Sequence, residues 1–225
     1  MTTIEIPSKY SKEEYILPPQ GFCAGCSIPI ALRWFLKVVG EKVILLMPPG
    51  CAAPSVLFPK PSLIYHGQRL KLIMTPFGSA AIFSGGLKSA LVAQGDTETQ
   101  VVAWAGDGAT FDIGLAGLSA AAERNEDIIY VCYDNEAYQN TGNQRSSATP
   151  WGVGTTTNPP PTPKMEYKKD IMSIIAAHRI PYAATLSIAY PDDFSPGLKL
   201  CCSPVIVRFL HILALLTPAW LFPLE

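Results

Sequence analysis

The sequence has little charge to spare: its formal net charge is −1 and only 16% of its residues are Asp, Glu, Lys or Arg. A nucleic-acid footprint needs basic residues clustered on one face, so that class of partner is excluded. Long apolar runs are missing too. The most apolar stretch, "PVIVRFLHILALLTPAWLFPL", is broken by Arg208 and His211, which leaves 13 residues, Ile212 to Leu224, free of charge and histidine. A spanning helix needs about 18 or more, so a buried strand running into an irregular, partner-covered tail (210–225) is expected instead of a membrane anchor. The start, "MTTIEIPSKYSKEEYILPPQ", is mixed and polar with no basic segment leading into an apolar one. It is expected to be an N-terminal arm (1–20) of a cytoplasmic protein. No internal repeat and no second apolar core divides the chain, so 1–225 is read as one domain.

What is present is alternation. "KVILLM", "VVAWA", "DIIYVCY", "YAATLSI" and "PVIVRFL" are short apolar runs without polar alternation. Between them lie helical patterns: "CSIPIALRWFLKVV", with Ile30, Trp34 and Val38 on one stripe, "AAIFSGGLKSALVAQ", "DIGLAGLSAAAER" and "KDIMSIIAAHR". Strands of this kind predict an α/β fold, a mainly parallel sheet with helices on both faces. The Pro/Thr/Gly segment 149–167 is too long to be idle in such a domain, so it is expected to cover a site or a partner.

"AWAGDGATFDIG" puts an aspartate at a glycine turn between a strand and a helix, where backbone N–H groups usually attract phosphate. A dinucleotide fingerprint fits poorly, because Phe111 stands at the third glycine position and Asp107 would repel a bare pyrophosphate. The alternative is a diphosphate held through a divalent cation, with Asp107 as an oxygen ligand. The next strand ends in "DNEAYQNTG", and Asn135 stands 28 positions after Asp107. In a βαβ unit the two turns sit side by side at the sheet's carboxyl edge. Helix capping by Asp107 and a tight turn at Asn135 would explain each alone; the pair at this spacing points to a site.

Six cysteines fall at 23, 26, 51, 132, 201 and 202. Cys132, inside "IIYVCY", is expected to be a packed core thiol. Cys201 and Cys202 would point to opposite sides of a strand and are given no role. "GFCAGCS" has C-x-x-C spacing and "PPGCAAP" adds Cys51. Zinc, a redox dithiol and iron–sulfur all remain open for Cys23 and Cys26, with a third cysteine favouring a metal.

"GDG" followed after 26 residues by Asn resembles the magnesium–thiamine diphosphate motif. Together with "GDGATFDIGLAGLSAAAERNEDIIYVCYDNEAYQNTGNQRSSATPWG", "TTT", "KKD" and "PYAATLSIAYP", residues 20–194 resemble the β subunits of 2-oxoacid:ferredoxin oxidoreductases of the pyruvate synthase type. The resemblance implies a thiamine diphosphate-binding fold in which Asp107, the Asn135 side chain and the Ala137 carbonyl hold Mg²⁺. Gly78, Gly106, Gly108, Ala109, Asn140 and Thr141 would lie at the cofactor. It also implies a [4Fe–4S] cluster on Cys23, Cys26, Cys51 and a fourth, late cysteine. The implied reaction is oxidative decarboxylation of a 2-oxoacid to acyl-coenzyme A and CO₂, with electrons passing to ferredoxin. No catalytic residue is assigned to this chain, since the Glu that activates the aminopyrimidine ring lies on a partner subunit. The chain would work only with α-, γ- and δ-type subunits.

The text departs from the family at "HILALLTPAW", where Leu216 stands at the fourth cysteine's place, at Ser27-Ile28 after Cys26, and in a chain that ends some tens of residues early. Cys201 and Cys202 precede the strand and are poor substitutes. A cluster-deficient structural or regulatory subunit is the rival reading, and a non-decarboxylating nucleotide-binding oxidoreductase a distant third. "AAPSVLFPKPSLIYHG" departs from pyruvate-type text, which leaves room for a bulkier or aromatic oxoacid.

Overall fold

A computed structural model of the chain describes residues 13–58, 61–65, 68–201 and 207–215. Residues 1–12 of the expected arm, Cys202, Leu216 and the rest of the tail lie outside them. Six parallel strands form one sheet: β1 (Val43–Met47), β4 (Lys71–Met74), β5 (Gln100–Gly106), β6 (Ile129–Asp134), β7 (Tyr182–Ser187) and β8 (Arg208–Leu213), in the order β4-β1-β5-β6-β8-β7. A short antiparallel hairpin, β2 (Ile64–Tyr65) with β3 (Gln68–Arg69), stands apart.

Every residue of β1 and β6 is buried, which is why both read as unbroken apolar runs. Successive side chains go to opposite faces. Leu45, Met47, Val102, Trp104, Val131 and Tyr133 meet α1 (Ile28–Val39), α2 (Ala52–Leu57) and α6 (Pro191–Cys201). Ile44, Leu46, Val101, Ala103, Tyr130 and Cys132 meet α3 (Ala80–Ala93), α4 (Leu115–Glu123) and α5 (Ile171–Ala176). Cys132 is a fully buried core thiol, as expected.

Several expectations are corrected. The buried stripe of α1 is Ile28, Ala31, Leu32, Phe35 and Leu36, whereas Ile30 is 39% exposed. Trp34 is only partly buried, edge-on to Phe194 of α6 at 5.3 Å, and α6 was not foreseen. Pro196 and Gly197 both sit inside α6. Gly197 is what the packing needs there, since a Cβ would come within 2.7 Å of Leu186 on β7. Cys201 ends this helix and is not on a strand. The edge strand β4 was also unread, because only one neighbour pairs with it and its Lys71, Ile73 and Met74 are exposed. α5 is shorter than its pattern, starting at the Asp170 cap, whose side chain accepts from Ser173 N at 3.0 Å.

The last strand is displaced relative to the expected 204–210. Arg208, already within the expected strand, and His211 both belong to it, buried beside Asp127 (2.6 Å) and Asp134 (2.8 Å). Leu210, Ile212 and Ala214, at the start of the expected tail, are therefore covered by this chain's own core. Segment 149–167 contains no helix or strand. Among the described residues no helix is long and apolar enough to cross a membrane.

Candidate cofactor site

Because β1, β5 and β6 are neighbours, the turns after their carboxyl ends are brought together. They bound a cleft of about 210 Å³. Gly106, Asp107, Gly108, Ala109, Asn135, Ala137, Asn140 and Thr141, expected at the cofactor or its cation, line it together with Cys51, expected as an iron–sulfur ligand. Pro49, Gly50, Phe77, Tyr133, Tyr138 and Gln139 complete the wall and were not anticipated. Gly78 is not part of the lining. It takes φ +87° and packs against Ile113, while its neighbour Phe77 faces the cleft.

The chain leaves β5 through one π-helical turn, Gly108–Asp112, before α4 begins. Such turns recur at functional sites. A Cβ on Gly108 would lie 2.2 Å from Cε1 of Tyr138. Glycine here lets the Tyr138 ring close on the turn, where its hydroxyl donates to Asp112 at 2.9 Å.

Asp107 is 2% exposed, and burial pushes its carboxyl well above the usual range, with the charge of Asp134 adding to the effect. Ser146 opposes this by donating to Oδ2 at 2.5 Å. The nearby ammonium of Lys168 pairs with Asp134 instead. Oδ1 of Asp107 faces the Asn135 amide: one arm of that amide lies 2.9 Å from Asp107 Oδ1 and 3.0 Å from the Ala137 carbonyl. The other arm lies 3.6 Å from Cys51 Sγ.

An amide can present either end to its surroundings. With the amide nitrogen inward, both contacts are ordinary hydrogen bonds. With the oxygen inward, three oxygens face one another with no hydrogen between them, and the NH₂ group turns to the Cys51 sulfur. Adjacent oxygens around an octahedral Mg²⁺ with bonds of about 2.0–2.1 Å lie roughly 2.9–3.0 Å apart. The donor set fits such a cation, which would also supply the charge that the Asp107 carboxylate lacks.

Behind these donors lies a layer that sequence reasoning missed. Asp134 Oδ2 accepts from Lys168 at 2.6 Å and from His211 Nε2 at 2.8 Å. Burial disfavours the charge of Asp134, but these two partners more than offset it and hold its carboxyl below the usual range. Glu136 has φ +68° and pairs with Lys168 at 3.0 Å. Thr149 donates to the Glu136 carbonyl at 2.6 Å. Lys168 stands in the "KKD" text and Ser146 and Thr149 in "NQRSSATPWG", but nothing in their residue types marked a role.

The three cysteines expected to hold a cluster differ in exposure. Cys51 lines the cleft; Cys26 is buried and Cys23 exposed. They are close enough to influence one another: burial first, then the other thiols, push Cys51 up to about 12 and Cys26 to about 11. Among the described residues, no three His, Cys, Asp or Glu side chains converge where a metal ion would sit.

Residues 58–209 match the family model for the C-terminal TPP-binding domain of thiamine pyrophosphate enzymes. The chain is 40% identical over 217 residues to the pyruvate synthase subunit PorB of Methanothermobacter thermautotrophicus, covering 95% of this chain and 74% of that one. It is 39% identical over 236 residues to the ketoisovalerate oxidoreductase subunit VorB of Pyrococcus furiosus, covering 99% and 75%. In fold it is similar to a 2-oxoglutarate:ferredoxin oxidoreductase from Magnetococcus marinus, with TM-score 0.75 and 21% identity over 96% of this chain and 72% of that one. The chain therefore belongs to the thiamine pyrophosphate enzymes, among the β subunits of the 2-oxoacid:ferredoxin oxidoreductases.

Proposed function

We propose that this chain binds thiamine diphosphate through Mg²⁺ and serves in the oxidative decarboxylation of a 2-oxoacid, with coenzyme A as acyl acceptor and ferredoxin as electron acceptor. The observation that carries the reading is the meeting of Asp107 Oδ1, the Asn135 amide and the Ala137 carbonyl at 2.9 and 3.0 Å beside the glycine-opened turn. Asp107, Asn135 and Ala137 would hold the cation, and the backbone of Gly106 to Ala109 would face the diphosphate. Asn140 and Thr141 would lie along the cofactor. Thiamine diphosphate supplies the electron sink that allows the carboxylate carbon to leave a 2-oxoacid. The part of this chain is to orient the cofactor, to keep the buried Asp107 charge where a cation needs it, and to wall off water with Phe77, Tyr133 and Tyr138.

A partner chain must complete the site. The cleft is smaller than the roughly 300–1,000 Å³ of a closed small-molecule site, which suits one wall of a shared pocket. Trp151, Met165 and Tyr167, on the loop expected to meet a partner, are 53%, 60% and 84% exposed. A partner subunit of the α, γ or δ type would bring the opposite wall and the activating glutamate.

For iron–sulfur binding the donor chemistry is suitable: three thiols in one neighbourhood, one of them touching Asn135. They do not converge as they stand, and the position of Leu216 lies outside the described residues. The reading that Cys23, Cys26 and Cys51 carry a cluster is tested by anaerobic purification, iron and sulfide analysis and EPR, with Leu216→Cys as control. No iron in either protein leaves the cluster-deficient subunit as the better reading. The cofactor reading is tested by titrating thiamine diphosphate into the native assembly. Saturable binding that needs Mg²⁺ and is abolished by EDTA is expected; metal-independent binding would overturn the assignment of Asp107 and Asn135.

A further inference from the structure

We propose that Lys168 is a positioning residue for the cation-binding loop: its ammonium bridges the side chains on either side of Asn135 and so holds Asn135 and Ala137 in the geometry that meets Asp107. The inference rests on the metal reading above. Lys168 Nζ reaches Asp134 Oδ2 at 2.6 Å and Glu136 Oε1 at 3.0 Å. Asp134 is further held by His211 at 2.8 Å and accepts the Glu136 N–H on Oδ1 at 3.0 Å. Glu136 needs such support, because a non-glycine residue at φ +68° is held in a conformation that its own sterics disfavour. That left-handed step is what folds the chain back, so that the amide of residue 135 and the carbonyl of residue 137 face one point.

A second set of bonds reaches the other side of the site. Thr149 donates to the Glu136 carbonyl at 2.6 Å and accepts from Ser146 N at 3.0 Å, while Ser146 donates to Asp107 at 2.5 Å. Lys164 bonds the carbonyls of Ser147 and Thr149, tying the 149–167 loop over them. A continuous set of bonds thus runs from Lys168 through Glu136 and Thr149 to Asp107. Partners that orient ligands without touching the metal commonly alter metal affinity 10–100-fold when removed.

The test uses the native assembly freed of metal, with Mn²⁺ as the probe, counting free Mn²⁺ by room-temperature EPR in the presence of thiamine diphosphate. Lys168→Met is expected to weaken Mn²⁺ binding about 10–100-fold, and Lys168→Arg to recover most of it. Glu136→Gln should weaken binding several-fold, and adding Lys168→Met to it should cost less than Lys168→Met alone, since the two act together. Lys168→Met protein that melts earlier but binds Mn²⁺ like wild type would show a merely structural lysine and overturn the proposal. Should Lys168→Met fail to assemble, Glu136→Gln decides: unchanged affinity overturns it. Wild type that binds no Mn²⁺ instead sinks the metal reading itself, and this inference with it.

Discussion

Two aspartates stand at opposite edges of the same sheet and are treated in opposite ways. Asp127, just ahead of β6, is clasped by two buried cations, Lys88 at 3.1 Å and Arg208 at 2.6 Å, and Lys88 also donates to the carbonyls of Thr97 and Thr99. Asp107, just past β5, is only 2% exposed, yet its bonds are a serine and an amide. A carboxylate that the fold itself neutralises holds the fold together. One that the fold buries and leaves short of positive charge suits the cation proposed above. The difference between the two separates structure from site here more sharply than burial does.

The strongest way to break that contrast is Asp107→Ala. Loss of thiamine diphosphate through gel filtration of the native assembly is expected, on the order of a hundredfold or more in affinity because a charged ligand is gone. The metal-free fold should melt no earlier, since a buried carboxylate short of a counter-ion has been removed. Retained cofactor would show Asp107 to be merely buried.

Asp127→Ala should do the reverse. It removes the counter-ion that Lys88 and Arg208 share, at a cost of about 3–5 kcal/mol, measured by denaturant unfolding. The protein that remains folded should bind the cofactor with its usual affinity. If cofactor affinity falls with Asp127, the two edges are coupled and the contrast is wrong.

Gly108→Ala is smaller and sits between the two kinds of effect. Its methyl group would meet the Tyr138 ring, so the ring must move or the turn open, costing about 1–3 kcal/mol. Cofactor affinity should fall with it, and Gly108→Ala with Tyr138→Ala should recover part of the loss in stability. No recovery would mean that glycine serves the backbone alone. Least of all should follow from Lys42→Ala: its partner Glu98 is 72% exposed, and solvent screens such pairs, so no change in thermal midpoint or cofactor binding is expected.

Much of this was legible in order along the chain, because local chemistry leaves local marks. Unbroken apolar runs such as "VILLM" announce strands buried on both faces, and the turns at Gly106-Asp107-Gly108 and Asn135 announce polar groups at strand ends. The pairing of Asp107 with Asn135 could be inferred, since β5 and β6 are consecutive and adjacent. Cys51 in the same cleft was suggested only by family resemblance: β1 lies beside β5 although the hairpin, β4 and α3 intervene between them in the chain.

Where charge was judged one residue at a time, the sequence misled. Arg208 and His211 looked like interruptions of an apolar run, and the helix at 191–201 was not read at all. Asp127, Asp134 and Leu186, all distant in sequence, are what make them a strand and a helix. The same holds for Lys168, an ordinary lysine in a polar stretch until Asp134 and Glu136 are beside it. By itself the sequence determined which segments must be buried and which turns carry oxygen donors, because apolar period and turn chemistry are properties of neighbouring residues. Only the tertiary structure decided which charges are cancelled and which are left open, because a counter-ion is set by distance in space and the chain order says nothing of it.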